Sequence, residues 1–140
     1  MGMIKKLWLL GWLLMYATGV YADDRAVLVQ VERSARDWLA RVDDGNYQES
    51  WEQASTLLTS KTNQAEWVKS TTAIRSTRGK MTARYIATAG TTTSLSGFPD
   101  GEYIVLQFYT TFAPQSLALE TITLIKAPNE TWQIADYAMK

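Results

Sequence analysis

The stretch Glu102 to Phe112, Glu-Tyr-Ile-Val-Leu-Gln-Phe-Tyr-Thr-Thr-Phe, leaves this chain little choice of local structure. Phe98-Pro99-Asp100-Gly101 is a turn signal before it, and Ala113-Pro114-Gln115-Ser116 is another after it. Between them Ile104, Leu106 and Phe108 alternate with Tyr103, Val105, Gln107 and Tyr109. Period two over a run rich in β-branched and aromatic residues is a strand. No charge falls on either face between its ends, so the strand is expected to be central in a sheet and covered on at least one side.

The same period recurs around it. Met81 to Ala87, Leu117 to Lys126 and Trp132 to Met139 read as three further strands, the last two joined through Pro128-Asn129-Glu130. Upstream the period is helical. Leu28, Val31, Ala35, Trp38, Leu39 and Val42 form one stripe over residues 25–43, with Gly45 placed to end it. Asn46 and Glu49 have capping-box spacing for a second helix ending near Ser60, with Tyr47, Trp51, Ala54 and Leu58 on one face. Asn63 and Glu66 repeat the spacing for a third helix, which Gly79 stops and whose last turn holds Arg75 and Arg78. Helices followed by hairpin-linked strands predict an α+β domain: three N-terminal helices packed on a curved four-stranded antiparallel sheet.

The first residues read as a targeting segment. Lys5-Lys6 is a basic opening, Leu7 to Met15 is apolar, and Val20-Tyr21-Ala22 ends on the small residue signal peptidase requires. The expected organisation is a signal peptide, 1–22, cleaved after Ala22, then one domain, 23–140, periplasmic or secreted and without a membrane anchor. The competing reading is a retained anchor, for which the apolar run is short.

Composition removes several functions. Cysteine and histidine are both absent. No disulfide, thiolate metal site or Ser-His-Asp triad can form, and no metal or cofactor is expected. The charges balance and are scattered, with no basic stripe for nucleic acid. Asp43-Asp44 with Glu49 and Glu52 lacks the ligand alternation of a calcium loop.

Glu120 stands out among the remaining carboxylates. If the hairpin pairs apolar face to apolar face, Ile104 and Leu106 meet Leu124 and Ile122, and Glu120 falls beside Phe108 on the core side. A register slip of one residue would put it beside Tyr109 instead. A buried carboxylate in a cavity can act as a general base or anchor a ligand, and Arg84 can fix an anionic ligand. The structural alternative pairs Arg84 with Glu120, or leaves Arg84 exposed. Arg84, Phe108 and Glu120 are therefore the candidate ligand-binding residues, with Glu120 the candidate base. Trp38, Trp51, Trp67 and Trp132 read as an aromatic cage or, more simply, as core packing.

Several motifs carry a family resemblance. They are Trp38-Leu39, Val42-Asp43, Gly45, Tyr47 and Ser50-Trp51, then Trp67-Val68, then Gly97 with Pro99-Asp100-Gly101-Glu102-Tyr103. Glu120-Thr121 with Thr123-Leu124, and Trp132 with Ile134-Ala135 and Tyr137, complete them. Over nearly the whole mature length the chain resembles a family of small secreted bacterial proteins, domain of unknown function 4019. That family has no assigned activity. The order of elements is also similar to the nuclear transport factor 2-like, cystatin-like fold, which implies a cone-shaped cavity and hosts isomerases, dehydratases, ligand carriers and dimerisation modules.

Three functions are thus in view. The first is a non-enzymatic binding or interaction module. The second is a lyase or isomerase of the ketosteroid-isomerase type, with Glu120 as base. The third is a carrier of a small apolar ligand. The partner is an unknown protein, a small molecule or a second copy. The second face of the central strand, with Tyr103, Gln107 and Tyr109, and with Ala135 and Tyr137 aligned on the last strand, reads either as the contact of a symmetric dimer or as an open, wet sheet face.

Overall fold

A computed structural model describes residues 24–140; the segment expected to be a signal peptide, and its expected cleavage after Ala22, lie outside them. The first helix, α1, runs over residues 24–43. It is followed by α2 (Tyr47–Glu52), α3 (Thr56–Lys61) and α4 (Gln64–Ser76), then β1 (Met81–Thr92), β2 (Tyr103–Phe112), β3 (Ser116–Lys126) and β4 (Trp132–Met139). The strands form one antiparallel sheet in the order β1-β2-β3-β4. The fold is α+β. Residues 24–30 belong to a separate N-terminal unit, and Val31–Lys140 is the compact body described below.

Among the described residues four helices stand where the sequence predicted three. The predicted second helix is two, because the backbone N–H of Ser55 donates to Ile134 O of β4 at 2.8 Å instead of continuing the helical ladder. The Ser55 side chain then caps α3 by accepting from the Leu58 N–H. The Asn46 cap also fails. Gly45 (φ 79°) and Asn46 close α1, with Gly45 N donating to Val42 O and Asn46 N to Arg41 O. This is the Schellman pattern. It commits Asn46 to the preceding helix, and its side chain makes no capping bond to α2. The Asn63 cap does form, accepting from the Glu66 N–H at 2.9 Å.

Val31, Ala35, Trp38, Leu39 and Val42 are buried along α1. Leu28, predicted on the same stripe, is 38% exposed. The helices lie on the face of Ile104, Leu106 and Phe108, which joins Ile122, Leu124, Ile134 and Tyr137 in one core. Trp38 and Trp67 are buried in it, and Trp51 and Trp132 pack half-buried at its rim. Trp51 Nε1 donates to Thr62 O at 2.7 Å. Trp38 and Trp67 lie 6.0 Å apart and share Ser50, whose carbonyl accepts from Trp38 Nε1 and whose hydroxyl accepts from Trp67 Nε1.

The β2–β3 register is the one predicted: Ile104 faces Leu124, Leu106 faces Ile122, and Phe108 faces Glu120. A register shift between Thr123 and Leu124 breaks the alternation on the β3–β4 side. Tyr137 therefore pairs with Ile122 and points into the core, and Ala135 is buried as well. Period two alone had placed both on the outer face; Tyr137 lies on the inner one, and Ala135 is the extra residue between Ile134 and Asp136.

Candidate functional site

The site begins with Glu120, which is fully buried on β3. Its Oε1 accepts from Arg84 Nε at 2.8 Å and from the Thr110 hydroxyl at 2.5 Å. Its Oε2 accepts from the Tyr137 hydroxyl at 2.5 Å. Strand pairing makes this set. Glu120 stands beside Phe108 across the ladder, Thr110 is two residues along β2 on the same face, and Arg84 is opposite Thr110 on β1.

The guanidinium of Arg84 then reaches the C-terminal end of α1. Its Nη1 and Nη2 donate to Oδ2 and Oδ1 of Asp43, both at 2.9 Å, in the bidentate geometry that gives such pairs their strength. Arg75 of α4 donates Nη2 to Asp43 Oδ1, also at 2.9 Å. Its guanidinium carbon lies 4.9 Å from the centroid of the Phe112 ring. Two carboxylates and two guanidiniums thus form one neutral cluster that joins α1, α4 and all four strands. Arg75 Nη1 is the one buried side-chain nitrogen or oxygen without a protein partner among the described residues.

Burial pushes the Asp43 carboxyl up, but the bonds and charge of Arg84, then of Arg75, outweigh it and hold the group below its ordinary 3.8. Burial likewise opposes the charge on Arg84, and Asp43 and Glu120 more than restore it, raising the guanidinium above its ordinary value. Burial, then the charge and hydrogen bond of Glu120, push the Tyr137 phenol well above its ordinary 10.0.

Arg84 and Glu120 are thus brought together, as the ion-pair alternative anticipated, with only 4% and 0% of their side chains exposed. Phe108 is fully buried beside them, with the Arg36 guanidinium 5.1 Å from its ring centroid. A groove of about 660 Å³ runs past Asn46, Tyr47, Glu49, Glu52 and Val68, and a smaller one of about 200 Å³ runs past Trp38, Arg41 and Trp132. Neither is lined by Arg84, Phe108 or Glu120.

Asp43, Arg75, Thr110 and Tyr137 were not among the candidate site residues predicted from the sequence. Asp43 and Arg75 carried only the signature of helix ends. Tyr137 was hidden by the shift between Thr123 and Leu124.

Among the described residues nothing covers the sheet's other face. Tyr85, Tyr109 and Leu119 form a row across β1, β2 and β3, with Tyr85 68% and Tyr109 54% exposed. Thr88, Gln107 and Thr121 form the next row, tied by Thr88 Oγ1 to Gln107 Oε1 and Gln107 Nε2 to Thr121 Oγ1. Leu117 is 63% exposed. Tyr103, expected on this face, is 1% exposed: its hydroxyl donates to Pro99 O and its ring meets Phe98 edge-on. It is spent on its own loop, and the accessible face narrows to Gln107, Tyr109 and their neighbours.

No curated protein matches the chain. The family model described as "Protein of unknown function (DUF4019)" matches residues 34–137, which takes in the whole cluster from Asp43 to Tyr137. The chain belongs to that family.

Proposed function

We propose that this protein is a non-enzymatic binding module, periplasmic or secreted, with a nuclear transport factor 2-like sheet whose outer face is the contact surface. The observation that carries this reading is the uncharged row Tyr85–Tyr109–Leu119, flanked by the Thr88–Gln107–Thr121 row. Tyrosine-rich, charge-poor and half apolar, it has the composition of an interface centre. Helices followed by an antiparallel sheet support the fold assignment, and the basic and apolar opening before Ala22 supports export.

The alternative with Glu120 as base, or with a cone-shaped cavity carrying an apolar ligand, would need that carboxylate to give up Arg84, Thr110 and Tyr137. Three donors and burial from solvent support a structural role for this carboxylate over proton transfer.

Self-association through the outer face is the simplest form of the function. Sedimentation at micromolar concentration should show a dimer that Tyr109→Glu converts to monomer. A wild-type monomer, or a dimer indifferent to Tyr109→Glu, removes the outer face as a self-contact. Intact mass of the exported protein should begin at Asp23.

A further inference from the structure

The two edges of the sheet are guarded differently. At β4, Ser55 N donates to Ile134 O, so the α2–α3 junction sits on the free edge, and Asp136 adds an exposed charge beside it. At β1, Arg36 Nη1 donates to Arg84 O, and α1 covers the edge at that point. Beyond Arg84 every residue from Tyr85 to Thr91 is exposed, including Ile86 at 43%. No charged residue occurs from Tyr85 to Pro99, and no proline from Met81 to Thr92. Long neutral edges of this kind are the ones natural sheets normally blunt with lysine, proline or a covering element.

The phase of the free groups follows from the ladder. Ala113 N donates to Lys80 O, so the odd-numbered residues of β2 turn their backbone groups toward β1. The β1 residues opposite even-numbered β2 positions turn theirs outward: Arg84, Ile86, Ala89 and Thr91, facing Thr110, Phe108, Leu106 and Ile104. Arg84 O is the one taken by Arg36, which agrees with that phase. Among the described residues nothing bonds the outward N–H and C=O groups of Ile86, Ala89 and Thr91.

We infer that this edge, Tyr85 to Thr91, takes an extended, uncharged peptide segment of a partner protein as an added antiparallel strand. Main-chain bonds supply the affinity, and with no charge from Tyr85 to Pro99 the edge offers no counter-ion to repay a charged segment for lost hydration. A peptide fits better than a second copy of β1. The register slips by one residue at Ala87, a bulge near the middle of the free stretch. Twofold pairing of two such strands would bring two bulges together and break the ladder at its centre. A flexible peptide carries no bulge of its own and can follow the local twist. This edge is a surface separate from the outer face and stands whether or not that face self-associates.

The probe is an acetylated, amidated octapeptide of alternating threonine and valine, added to the full mature chain, with amide hydrogen exchange as readout. The Ile86, Ala89 and Thr91 amides should slow by about tenfold or more, as expected for newly bonded edge amides. The same peptide with proline at every second position, or with lysine in place of threonine, should give no such slowing. Ala89→Pro should abolish the effect, because it deletes one outward N–H at an edge position where proline is tolerated. Ile86→Lys, which leaves the backbone intact, should weaken it at least several-fold. Tyr109→Glu should leave the slowing unchanged. Equal slowing with the proline peptide, or none with the threonine–valine peptide, overturns the inference. So does slowing that rises with protein concentration and needs no peptide, which would assign the edge to a second copy.

Discussion

At the scale of the residue, Arg84 is the hub of the cluster, donating to both Asp43 and Glu120 from a side chain 4% exposed. Arg84→Met would strand two carboxylates away from water with one cation removed. The expected loss is about 3–5 kcal/mol in urea denaturation, the range for breaking a buried ion pair from one side. Glu120→Gln keeps an oxygen for Arg84 and Thr110 and should lose less, about 1–3 kcal/mol. A Glu120→Gln loss as large as that of Arg84→Met would show that the glutamate, not the arginine, organises the cluster. The core-side position of Glu120 was legible because period two and a short hairpin fix one register. The reach of Arg84 to Asp43 was not, since the residues are separated by 41 positions and no local pattern reports such a contact.

At the scale of the element, legibility followed the spacing of apolar residues and failed where a backbone group found a distant partner. The third helix and its Asn63 cap were readable from local sequence. The break at Ser55 was not, because it depends on Ile134 O, far along the chain. Ser55→Ala removes the α3 cap while leaving that backbone bond, and should cost about 0.5–2 kcal/mol by thermal or urea unfolding. The turn between β3 and β4 offers the opposite change. Glu130 holds φ at 66°, a left-handed conformation that a side chain disfavours. Glu130→Gly should stabilise the protein by about 0.5–1 kcal/mol, the relief of that strain less the extra freedom of glycine when unfolded. An unchanged or lower unfolding midpoint would contradict this.

At the scale of the whole molecule, the cluster gives stability two pH limits. The folded-state pKa of Asp43 is depressed, so its contribution is present above the ordinary 3.8 and is lost as the pH falls through the lower folded value. The folded-state pKa of Tyr137 is raised, so its contribution is complete below the ordinary 10.0 and is lost as the pH rises beyond it. Tyr137→Phe should be less stable at neutral pH, yet its unfolding midpoint should fall less between about pH 9 and about pH 11 than that of the wild type. An equal fall would assign the alkaline limit to other groups. The cluster also fixes the order in which a growing chain can become protein. Asp43 is made first, Arg75 and Arg84 follow, and Glu120 and Tyr137 come near the end. A nascent chain that has reached only β1 holds one carboxylate against two guanidiniums, a set that cannot enter a dry core in balance. Neutral burial waits for β3, so synthesis of nearly the full length precedes any stable fold, and a chain cut short before Glu120 is left open to proteases instead of persisting as a half-made domain.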